Sequence, residues 1–143
     1  MPVLSITIAR DAINTAFKTA WDAQTPPIPA LLFDDTKQDL SGGEAPYARI
    51  SVRHNLFQQA TLGGVGNRRF RRIGVVAVQI FTPAGEGLTD ADKFAKVALD
   101  TFEGKNTGGD AVEFRNARIN EIGEDGPWFQ TNVLAEFEYD EIK

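Results

Sequence analysis

Arg68 to Thr82 reads RRFRRIGVVAVQIFT, and this stretch decides the fold. From Ile73 onward both alternating sets of residues are apolar: Ile73, Val75 and Ala77 on one side, Val76, Val78 and Ile80 on the other. A β-branched run of this kind predicts a long strand lying centrally in its sheet, covered on both sides for part of its length. Pro83-Ala84-Gly85 stops it. Upstream, Tyr47 to Asn55 sets Ala48, Ile50 and Val52 against Arg49, Ser51 and Arg53. That alternation predicts a half-buried antiparallel strand. Between the two lies LFQQATLGGVGN, residues 56–67, glycine-rich and without a period. It reads as a flexible loop.

Working outward, Ile6, Ala9, Ile13, Ala16, Phe17, Ala20 and Trp21 recur at helical spacing, predicting a helix from about Ser5 to Trp21. Pro26, Pro27 and Pro29 require it to end before them. Ala30 to Phe33 reads as a short strand closed by Asp34-Asp35, and the stretch to Pro46, with Gly42-Gly43, reads as loop. A second helix is expected with Thr89 as N-cap, Asp92 at the capping-box spacing and Leu88 as hydrophobic staple. Ala91, Phe94, Ala95, Ala98, Leu99 and Phe102 form its apolar stripe, and Gly104 ends it. Two strands close the chain, about Ala111 to Asn120 and Trp128 to Tyr139; in the last, Phe129, Val133, Phe137 and Tyr139 share a face. Strands in succession without helical crossovers pair antiparallel. The expectation is an α+β single-domain sandwich spanning residues 1–143, with a mainly antiparallel sheet of about five strands and two helices packed on one face.

Composition narrows the function. The chain has 143 residues, 42% hydrophobic and 24% charged, so a single core burying about two-thirds of the unfolded surface is available. With no cysteine there are no disulfides, thiol nucleophiles or thiolate metal sites. The first residues lack the pattern of a signal peptide and no apolar run reaches membrane-spanning length, so a soluble protein of a reducing compartment is expected. The net charge of −5 is unevenly spread. Residues 1–44 carry −3, residues 45–85 carry +6 with no acid at all, and residues 86–143 carry −8. Such a partition points to partners that read charge.

Chemical motifs are sparse. The single histidine, His54, would need a nucleophile within reach, and Ser51 lies on the opposite face of a regular strand. It reads as a partly exposed strand-end residue. Neither Asp34, Asp35 and Asp39 nor Glu121, Glu124 and Asp125 has the spacing of a calcium loop. Gly63, Gly64 and Gly66 fail the phosphate-loop pattern, because they lead into a strand and Arg69 stands at the third glycine position. Trp21 and Trp128 read as core. The arginines remain: Arg68, Arg69, Arg71 and Arg72 flank Phe70. Arginine pairs bidentately with carboxylates and is enriched at protein interfaces, and the acidic final third could supply those carboxylates within the fold or from a neighbouring copy.

Several pieces in this order resemble the tail terminator-like proteins of long-tailed bacteriophages, prophages and gene transfer agents. They are the helix ending at Trp21, the prolines before Ala30 to Phe33, and the run Pro46 to Val52. The glycine loop before Arg68 to Arg72, the segment Val76 to Gly87, and Gly126 to Val133 with Phe137 to Tyr139 complete them. The resemblance implies a structural virion protein and not an enzyme, without catalytic residues, metal or cofactor. It implies a hexameric ring that caps the tail tube, ends its polymerisation and joins the tail to the head. Its partners would be further copies, the tail tube protein and a head-completion or neck protein, with DNA passing through the lumen unheld. It would be made in the host cytoplasm and sit at the head-proximal end of the tail. On this reading the oligomer or tube interface is expected at Arg49, Arg53, Leu56, Phe57, Arg68, Arg69, Phe70, Arg71 and Arg72, with Glu136 and Glu138 as acidic counterparts. The arginines would reach the acidic surface of the next subunit or of the tube, and the 56–67 loop would order on assembly. The alternatives are a nucleic-acid-binding module using Arg68 to Arg72, or another neck or head-completion protein.

Overall fold

The computed structural model describes residues 5–23, 31–33, 46–85, 88–107 and 112–143. The readings at Pro26 to Pro29, Ala30, Asp34, Asp35, Asp39, Gly42-Gly43 and Ala111 lie outside the described residues.

Helix α1 runs Ile6–Asp22 because Ser5 caps it, its hydroxyl accepting from the Ile8 amide, and because every third or fourth residue is apolar. Ala9, Ile13, Phe17 and Trp21 are buried, while Ile6, expected on the stripe, is exposed in the first turn. Helix α2 runs Thr89–Phe102. Its cap differs from expectation. Thr89 is the first helical residue and Leu88 holds the N-cap position in αR backbone, so no side chain caps the helix. The carbonyl of Leu88 instead accepts from the Asp92 amide, and Asp90 and Asp92 sit at the positive end of the dipole.

The strands are β1 (Leu31–Phe33), β2 (Tyr47–Gln59), β3 (Arg69–Pro83), β4 (Asn106–Thr107), β5 (Val112–Asp125) and β6 (Trp128–Ile142). They form one sheet in the order β1-β2-β3-β6-β5-β4. Four long antiparallel strands make the body of the sheet, where five strands were expected; β1, parallel to β2, and the two-residue β4 only trim its edges. Strand β3 is central as predicted. It is covered by helices on one side only: Arg72, Gly74, Val76, Val78, Ile80 and Thr82 are buried, and the alternate set from Arg69 to Phe81 is half-buried.

Strand β2 corrects the predicted loop. It does not stop at Asn55 but continues to Gln59 through a β-bulge at Asn55, so the Leu56–Gln59 part of the predicted loop is strand paired with Phe70 to Ile73. A bulge inserts one residue and moves the alternation by one, which is why the segment shows no continuous period. The core residues end at Val52 on β2, Val76 on β3 and Tyr139 on β6, and the β2-β3 hairpin with the end of β6 continues past them as a three-stranded arm. Between the helices and the sheet, Phe17 lies 6.0 Å from Phe102, Trp21 5.9 Å from Phe94 and Phe102 5.0 Å from Phe114, ring centre to ring centre. Trp128 packs at the opposite end, edge-on to Tyr47, which stacks on Phe81 at 4.6 Å.

Candidate interface surface

Because side chains alternate along a strand, register decides which of the candidate residues share a face. Arg49, Arg53, Leu56, Arg69, Arg71, Glu136 and Glu138 fall on the sheet face that the helices leave uncovered. Arg53 stands opposite Val75, Val75 opposite Glu136, and Glu136 opposite Arg115. One row further along the arm, Leu56, Ile73, Glu138 and Glu113 are aligned. Phe57, Phe70 and Arg72 lie on the other face. Arg68 belongs to neither set: its Nε donates to the Gly63 carbonyl at 2.7 Å, and its backbone exchanges two bonds with Lys143.

The carboxylates that meet the arginine cluster come from β6 of the same chain. Arg71 Nε lies 3.1 Å from Glu138 and 3.3 Å from Asp140, Arg69 reaches Asp140 at 3.5 Å, and Arg115 reaches Glu138 at 3.4 Å. The basic segment and the acidic C-terminal strand, separate in sequence, are adjacent in the sheet. The arm therefore presents a laced surface of both signs, a poor match to a uniformly charged polyanion. Arg72 is different in kind. It is buried, its Nη2 donates to Glu141 at 2.9 Å, and its guanidinium lies 4.8 Å above Phe57 and 5.5 Å from Phe70. Its Nε, like that of Arg49, is buried without a hydrogen-bond partner.

His54 was read as a strand-end residue; it sits instead mid-strand, one residue before the bulge. Its Nε2 is 2.7 Å from Tyr139 Oη and its Nδ1 3.5 Å from Arg10 Nη2, which also donates to the Val52 carbonyl. A guanidinium can only donate, so Nδ1 is the acceptor, and the assigned tautomer carries its proton on Nε2, donated to Tyr139. Burial, then Arg10, then Arg72 hold the imidazole pKa below its ordinary value. Burial and the Glu141 carboxylate push Tyr139 up to about 12. The result is a neutral imidazole bonded to one cation and within the field of a second, stacked on Phe57 and edge-on to Phe137. Sequence reasoning had no signal for this site: its members are separated by 44 and 85 residues, and no local spacing joins them. Among the described residues no group of three or more His, Asp or Glu side chains could hold a metal ion, and no helix is long and apolar enough to cross a membrane.

No curated protein sequence matches the chain. A solved structure matches with a TM-score of 0.72 at 20% identity, over 95% of this chain and 96% of that one. At that identity the match speaks for the architecture alone. The sequence match is more specific. The family model described as phage tail terminator protein fits residues 9–137, from the first buried residue of α1 to the buried Phe137 of β6, and the chain belongs to that family.

Proposed function

We propose that this structural tail protein closes into a hexameric ring on the end of the tail tube, stops its polymerisation and offers the opposite side to a head-completion or neck protein. The observation that carries the reading is the sheet face left uncovered by the helices. There Arg53 shares a row with Glu136 and Arg71 stands across from Asp140 beside Glu138, on a half-buried ground of Ile73, Val75, Ala77 and Leu134, with Arg49 further along the same face in the row of Gln79 and Asn132. A half-apolar face with both charges in register is suited to a protein partner, since it offers desolvated area at its centre and directional pairing around it. The role is assembly, not catalysis. It places the protein at the head-proximal end of the tail, after assembly in the host cytoplasm, with DNA passing through without being held. The nucleic-acid reading is disfavoured because three of the four arginines it would use, Arg69, Arg71 and Arg72, are engaged by carboxylates of their own chain.

Native mass spectrometry of the purified protein, alone and with its tail tube protein, tests this. A closed oligomer that binds tube ends is expected. A monomer that ignores the tube and retains duplex DNA with a steep salt dependence would overturn it. Replacing Arg69 and Arg71 by glutamine should weaken tube or ring attachment. Glutamate would be a worse test, because it would also set like charges against Glu138 and Asp140 within the arm.

A further inference from the structure

The helices run antiparallel past one another and leave a groove of about 500 Å³ on the outside of the helix layer. Ala16, Ala20 and Val97 line it together with Lys93, Lys96 and Lys105. Asp100 also lines the groove and is paired with Lys96, which leaves the lining net positive. This is an unusual place for three lysines, in the segment of the chain that carries the largest acidic excess.

A second patch has the complementary character. Toward the β5-β6 turn, Ile119 is 43% and Ile122 52% exposed, with exposed Glu121 and Glu124 beside them. No base occurs between Arg118 and Lys143. Ile122 is exposed for a structural reason. A bulge between Glu121 and Gly123 takes it out of register with β6, and Gly123 supplies the φ of +110° that the bulge needs. Bulges re-aim a side chain, and here the chain aims an isoleucine into solvent between carboxylates.

We propose that this hairpin, with Ile122 as anchor and Glu121 and Glu124 on either side, docks into the α1-α2 groove of a second copy of the chain. The small alanines leave room for the isoleucine, and Lys93, Lys96 and Lys105 receive the carboxylates. Groove and hairpin are different patches of one chain, so the contact is head-to-tail and can close a ring. The inference rests on the ring reading above and names the contact that would build it.

Two variants test it. Glu121→Gln/Ile122→Ser/Glu124→Gln removes the anchor and charges of the hairpin, and Lys93→Glu/Lys96→Glu reverses the groove. All five positions are on the surface, and an unchanged melting temperature verifies the fold. Each variant alone should be monomeric under conditions where the wild-type protein assembles. Mixed, they should form a one-to-one heterodimer and nothing larger, because only one intact hairpin and one intact groove remain. Variants that assemble like the wild type overturn this contact while leaving the ring reading standing. Wild-type protein that forms open chains, with the mixture still stopping at a heterodimer, overturns the ring and supports the contact. If both variants self-assemble normally but no longer hold the tube protein, the occupant is the tube and not a second copy. Wild-type protein that stays monomeric with and without the tube overturns both.

Discussion

Gly74 lies directly against Phe137: a β-carbon built on it would stand 2.5 Å from Cζ of that ring and 2.1 Å from the Arg53 carbonyl oxygen. Gly74 is the position on β3 opposite both His54 and Phe137, at the row where the arm leaves the helix-covered sheet. Removing a glycine from a strand normally helps folding by about 0.4–1 kcal/mol through the unfolded chain. Here overpacking opposes that gain, at a cost of about 1–3 kcal/mol or more. Gly74→Ala should therefore lower the urea midpoint. Phe137→Leu in the same chain should recover only part of the loss, because the Arg53 carbonyl is backbone and cannot move aside.

Two neighbouring arginines should respond differently to deletion. The side chain of Arg71 is 39% exposed, and Arg71→Ala should cost less than about 1 kcal/mol. The side chains of Arg72 and Glu141 are 9% and 12% exposed, and Arg72→Ala strands the carboxylate and removes the cation from between Phe57 and Phe70. A loss of about 2–4 kcal/mol is expected, close to the range for breaking a buried pair and softened by Lys143, which lies 3.6 Å from Glu141. Equal losses measured by chemical denaturation would contradict the assignment of Arg72 as the buried member of the cluster.

His54 makes stability depend on pH with a definite sign. Its folded pKa is depressed, so below the ordinary value near 6.5 the unfolded chain takes up a proton that the folded chain resists. Folding stability contributed by the neutral imidazole is thus present at neutral pH and is lost as the pH falls below about 6.5. His54→Gln should therefore lose less stability than the wild type between pH 7 and pH 5. Parallel curves would show that the imidazole is not held neutral.

The helix layer should depend on one ring. Phe102 is fully buried and touches both Phe17 of α1 and Phe114 of β5. Phe102→Ala should cost about 3–5 kcal/mol. Loss of near-ultraviolet circular dichroism from Trp21, which packs on Phe17 and Phe94, would report that the helices have loosened together.

The sequence by itself determined the α+β class, both helices and the central place of β3. These follow from periodicity, which depends on near neighbours and a single buried side. It also exposed the segregation of charge, and it carried enough ordered features to suggest the family that residues 9–137 then showed. What it concealed lies where alternation breaks. The bulge at Asn55 inverts the faces of Leu56 to Gln59, so a paired strand reads as loop. Leu88 in αR backbone displaces the predicted cap by one residue. Tertiary structure alone decided that the acids facing Arg69, Arg71 and Arg72 belong to the same chain, because strand order brings together residues 69 to 71 positions apart in sequence. It alone placed His54 between Arg10 and Tyr139. Charge counted along a chain gives the sign of each segment. Sheet register decides which signs meet, since hydrogen-bonded strands lie about 4.8 Å apart whatever their separation in sequence.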